Sequence, residues 1–105
     1  MSMENKTNAL YEQVEWLVCD YTELNKESIF ESNREECVDA RYILVGVLCE
    51  YLTDEEIAKR TGLTRACVNK IRNGMKPKLS RFSFRCLYQS VSENIRYWLE
   101  STNLK

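Results

Sequence analysis

Residues 53–73 read TDEEIAKRTGLTRACVNKIRN, and the reading of this stretch decides the fold. Thr53 and Glu56 have the spacing of a capping box, in which the hydroxyl accepts from an amide three residues on while the carboxylate reaches back. A helix therefore starts here. Gly62 is the residue best able to adopt the left-handed conformation that ends a helix and turns the chain. Thr64 can cap a second helix, which carries Val68 and Ile71 inward, and Ile57 with the small Ala58 completes the first helix's inner face. Two short helices at a glycine corner with apolar anchors at these offsets meet the requirements of a helix-turn-helix, the expectation for residues 53–73.

Working outward, Thr7 is expected to cap a first helix reaching about Tyr21, with Leu10, Val14, Leu17, Val18 and Tyr21 as its apolar stripe. A short helical turn follows Asn25, anchored by Ile29 and Phe30. Residues 32–34 open a long central helix to about Tyr51, whose buried face is Val38, Tyr42, Val45, Leu48, Cys49 and Leu52. On the other side, the second helix of the motif is expected to end at Asn73 and Gly74, and Lys76, Pro77 and Lys78 to form a basic link. A last helix then runs from about Ser80 to Thr102, with Phe84, Leu87, Val91, Ile95, Trp98 and Leu99 inward. With one proline, three glycines and 44% hydrophobic residues in 105, the expectation is a single all-α domain over residues 1–105. It is a bundle of five to six helices containing the helix-turn-helix.

No apolar run approaches the roughly 18 to 20 residues of a membrane span, and the N-terminal residues lack a secretory signal's apolar core, so a cytoplasmic location away from membranes is expected. The five cysteines include no CxxC, which points to reduced thiols rather than disulfides or a zinc site: four small core residues and one facing a groove. Histidine is absent, removing the commonest general base and metal ligand. Asp54, Glu55 and Glu56 cluster at a helix start, where their charge complements the helix dipole. There is no phosphate-cradling glycine motif either. Neither enzymatic activity nor a cofactor is expected.

The net charge of −1 conceals an asymmetry: residues 1–58 hold 14 acidic and 4 basic side chains, residues 59–105 hold 2 and 11. The basic half can supply a phosphate-neutralising surface, or the two halves can neutralise one another within the fold. If residues 53–73 form a DNA-reading motif, the exposed side of the second helix offers Thr64, Arg65, Ala66, Asn69, Lys70 and Asn73. Arg65 can pair bidentately with guanine and Asn69 with adenine, Ala66 can meet a thymine methyl, and Lys70 and Arg72 can take phosphates.

A likeness extends the motif. The run from Val18 to Ile71, with Tyr21 to Leu24, Ser28 to Phe30, Ser32 to Arg34, and Ala40-Arg41 followed by Leu44, Val45 and Leu48, resembles the C-terminal DNA-binding domain of the bacterial replication initiator DnaA, a Trp-repressor-like fold. About half the chain is covered. The resemblance implies that Arg34 lies in the basic loop whose arginine enters the minor groove, and that Arg41 matches the arginine opening the central helix's signature. Thr64 to Cys67 replace the family's acidic-His-Thr-Thr run, the loop before the motif is shorter, and the loop before Arg34 is less basic. The same docking on a different target sequence is what these departures imply. The initiator's ATPase domain has no counterpart in these residues, so neither ATP binding nor origin melting is expected.

The expected partner is double-stranded DNA, read by residues 64–73 with Arg34, Lys76, Lys78 and Arg81 holding the backbone, in transcriptional regulation or as an accessory to replication. Two other readings stand beside it. Residues 71–77, IRNGMKP, also look like the end of the motif in Cro-type phage repressors, which implies a homodimer on a palindrome. The other is a protein-interaction module that keeps the fold without DNA, using exposed aromatics such as Tyr11, Trp16 or Tyr97 to contact a protein partner.

Overall fold

The computed structural model describes residues 3–102, so positions 1, 2 and 103–105 of the expected domain lie outside the described residues. Six helices follow one another: α1 (Met3–Thr22), α2 (Lys26–Glu31), α3 (Glu35–Leu48), α4 (Asp54–Thr61), α5 (Arg65–Leu79) and α6 (Phe82–Thr102). The all-α expectation holds. No helix among the described residues is long and apolar enough to cross a membrane.

The helix α3 is the centre, with α1, α2, α5 and α6 all packed against it, while α4 packs on α5. Its run Ile43–Leu48 is buried on every side, because neighbours cover it all round. The expected face was too narrow: Ile43, Leu44 and Val47 are buried beside Val45 and Leu48, whereas Val38, Tyr42, Cys49 and Leu52 are half-buried. Two polar clasps bind α3 outward. Arg41 donates from Nε to the Ile29 carbonyl and from a terminal nitrogen to the Ser32 carbonyl, both at 2.7 Å, which satisfies carbonyls at the end of α2. At the other end, the Glu50 carboxylate accepts from the Tyr88 hydroxyl and, at 3.1 Å, from Ser92 Oγ on α6.

Two corners of the chain use the same local device. At the end of α4, Thr61 Oγ1 donates to the Ile57 carbonyl and accepts from Leu63 N–H, while Gly62 turns with φ 82°. At the end of α1, Thr22 Oγ1 donates to the Val18 carbonyl and accepts from Leu24 N–H, while Glu23 turns with φ 60°. In both, a half-buried leucine follows, then a cap: Asn25 accepting from Ser28 N–H at 2.8 Å, or Thr64 accepting from Cys67 N–H at 3.0 Å. The sequences TELN and TGLT thus specify one turn twice. A residue with Cβ is strained in this conformation, so Gly62→Ala should lower the unfolding free energy by about 1 kcal/mol. Glu23→Gly should shift it the other way, both read from urea midpoints.

Several expectations are corrected. Thr7 does not cap α1, which already runs at Met3, and it lies buried inside that helix. Tyr21 stands 44% exposed rather than in the stripe, its hydroxyl accepting from Asn94 Nδ2 at 2.8 Å, and the buried α1 aromatic is Tyr11. Most consequentially, α5 does not stop at Asn73 and Gly74. It continues through Pro77 to Leu79, so residues 76–78 are helix and not a link, and α6 begins at Phe82. A Cβ on Gly74 would lie 3.1 Å from the Tyr42 ring, so glycine here permits close packing of α5 on α3.

Candidate nucleic-acid interface

The turn Gly62–Thr64 sets α5 against α4, and buried Ile57, Val68 and Ile71 form the seam between them. Thr53 and Glu56 complete the capping box at the start of α4, each satisfying the other's backbone amide. This frame turns the opposite side of α5 to solvent. Thr64, Arg65, Ala66, Asn69, Lys70, Arg72 and Asn73 are all exposed, so the predicted reading residues share one face. Thr64 spends its acceptor on the cap, while Arg65 and Lys70 have no carboxylate within ion-pair distance among the described residues.

One carboxylate reaches this face. Asp54, at the first position of α4, pairs with Arg72 and accepts from Asn69 Nδ2 at 3.5 Å, and Asn69 accepts in turn from Asn73 Nδ2 at 3.1 Å. A shallow groove lined by Leu52, Thr53, Asp54, Glu55, Arg65 and Arg72 runs beside it. The sequence assigned Asp54 only to the helix dipole, and nothing in its spacing announces a contact eighteen residues away.

The outer cations divide into two sets. Lys76 is exposed on the last turns of α5 and carries no ion pair among the described residues, as does Lys59 on α4, which the sequence reading passed over. Lys78, in contrast, turns inward: its ammonium lies 2.8 Å from Asp39, 4.7 Å from the Tyr42 ring centroid and 5.9 Å from that of Phe84. Arg81 meets the same carboxylate at 3.1 Å. Burial alone would raise the Asp39 carboxyl, but the hydrogen bonds and charges of Lys78 and Arg81 hold it below the usual carboxylate range. Arg34 stands exposed at the N-cap position of α3, makes no side-chain capping bond, and pairs with Glu36 at 2.8 Å, away from the α5 face in sequence and bonded locally. The pairs of Lys78 and Arg81 with Asp39 and of Arg72 with Asp54 cross from the acidic half to the basic half, so the two halves do neutralise one another in part.

Cys37 is buried, Cys19, Cys49 and Cys67 are half-buried, and Cys86 is exposed on α6; all are free thiols. Among the described residues no three metal-ligating side chains converge. Compared with known protein families, with curated proteins and with solved structures, the chain finds no match.

Proposed function

We propose that this chain binds double-stranded DNA with sequence selectivity, laying the first turns of α5 in the major groove, in the manner of the DnaA C-terminal domain it resembles. The observation that supports this most is the single exposed face bearing Arg65, Ala66, Asn69, Lys70 and Asn73 at the start of a helix held at a glycine corner. Arg65 would read guanine and Asn69 adenine, with Lys70 and Lys76 on phosphates. Arg34, Arg72 and Arg81 would reach phosphate only by exchanging a carboxylate for it, and Lys78 serves the fold instead. A role in transcription or as a replication accessory belongs to the same proposal.

Selection of bound sequences from a random duplex pool, followed by fluorescence anisotropy on the selected site and on the pool, tests it. Affinity should fall roughly tenfold or more between 50 and 200 mM salt, as counterion release from several phosphates requires. Lys76→Ala should weaken all duplexes alike and flatten the salt dependence, while Arg65→Ala should lower preference for the selected site by about tenfold. Asp54→Asn, which removes the carboxylate facing the duplex and releases Arg72, should tighten binding. An absence of duplex binding at 50 mM salt would sink the proposal and favour the protein-interaction reading, for which exposed Trp16 and Tyr97 remain available and buried Tyr11 does not.

A further inference from the structure

The outer side of α6 is directly opposite its buried side chains Phe84, Val91 and Ile95, and it carries two aromatics that play no part in the core: Phe82, 72% exposed, and Tyr97, 73% exposed. At 100° per residue Phe82, Cys86, Gln89, Glu93 and Tyr97 fall in one outward stripe. Its two ends differ in a way that makes it complementary to itself. At the first end the Arg85 guanidinium lies 5.7 Å from the Phe82 ring centroid, and Arg85 has no carboxylate partner among the described residues. At the other end Glu93 stands one turn before Tyr97, exposed and without a cationic partner among the described residues.

We infer that α6 pairs antiparallel with α6 of a second copy of this chain, about a two-fold axis between Gln89 and Ser90. In that register Phe82 of one protomer opposes Tyr97 of its partner, Arg85 falls beside Glu93, and symmetry repeats both contacts, which is what an isologous interface requires. The aromatic pairs lie about 22 Å apart along the helix, from 1.5 Å rise over the intervening residues. Other registers lose this match: an antiparallel slip of one turn leaves a ring against a polar side chain, and a parallel pairing sets Glu93 against Glu93. Four rings withdrawn from water supply the apolar area, yet a single helix pair lies at the low end of interface sizes, so the dimer is weak and reversible. The inference does not rest on DNA binding. If both hold, the dimer presents two α5 faces related by a two-fold axis and the target is a palindrome.

Sedimentation equilibrium from about 1 µM to about 1 mM chain, without DNA, tests the pairing. A monomer–dimer equilibrium is expected, with Tyr97→Ala raising the dissociation constant roughly tenfold or more. Glu93→Arg should weaken the dimer and Arg85→Glu combined with Glu93→Arg should restore it, since the pair is exchanged. Gln89→Cys should form an interchain disulfide on mild oxidation, whereas native Cys86, about 10 Å from its symmetry mate along the axis, should not. A chain that stays monomeric at the highest concentration, a dimer indifferent to Tyr97→Ala, or cross-linking through Cys86 in preference to Gln89→Cys would each overturn it. Circular dichroism confirms that each variant keeps its helices, because every one of these positions except Arg85 is exposed.

Discussion

Leu48→Ala should lower the unfolding free energy by about 2–5 kcal/mol. Leu48 has no exposed surface and sits at the end of α3, within a core to which all six helices contribute side chains. Truncation forfeits the transfer energy of three apolar carbons and leaves a cavity whose walls belong to different helices. Such walls cannot close without moving whole elements. A small all-α chain with a total stability of roughly 5–15 kcal/mol would lose a large fraction of it. The urea midpoint should fall while the slope of the transition stays unchanged, and a changed slope would mean that the core is not cooperative.

Asp39→Asn should cost about 2 kcal/mol at neutral pH, between the values for an exposed and a fully buried ion pair. The Asp39 side chain retains 15% exposure and Lys78 23%, so both are partly desolvated, but the Arg81 end at 44% is screened by solvent. Removing the charge leaves the Lys78 ammonium between Tyr42 and Phe84 with the ring faces and a neutral amide oxygen in place of a carboxylate. The pH dependence has a definite sign. A carboxyl held below its ordinary value near 3.8 contributes stability that is complete above that value and is lost as the pH falls through the folded one. The native chain and Asp39→Asn should therefore differ at neutral pH and converge in acid. Urea midpoints across that range check it, and a difference that persists into acid would assign the effect to packing instead.

What could be read from the sequence was local chemistry. The Thr53 and Glu56 box, the left-handed Gly62, the Thr64 cap and the short helix after Asn25 are decided within a few residues, and each is found where the sequence puts it. The α5 end was misread because Gly74 and Pro77 are poor helix residues on their own, and what overrides them is distant in sequence: Tyr42 against Gly74, and Asp39 with Tyr42 and Phe84 around Lys78. The same separation hid Asp54 from Arg72 and Asn69. On the candidate face, exposure followed from helical spacing, so Arg65, Asn69 and Lys70 share a side as expected. Which cations are already engaged did not follow, because pairing across 39 or 42 residues leaves no periodic trace.

Pro77 has no backbone N–H to offer the Asn73 carbonyl one turn earlier, so α5 is weakest where its solvent-facing portion joins the portion seated on α3. The seat, made by Tyr42 against Gly74 and by Asp39 with Lys78, lies on both sides of that missing bond. The helix is thus carried past its proline by side chains of α3 rather than by its own backbone ladder.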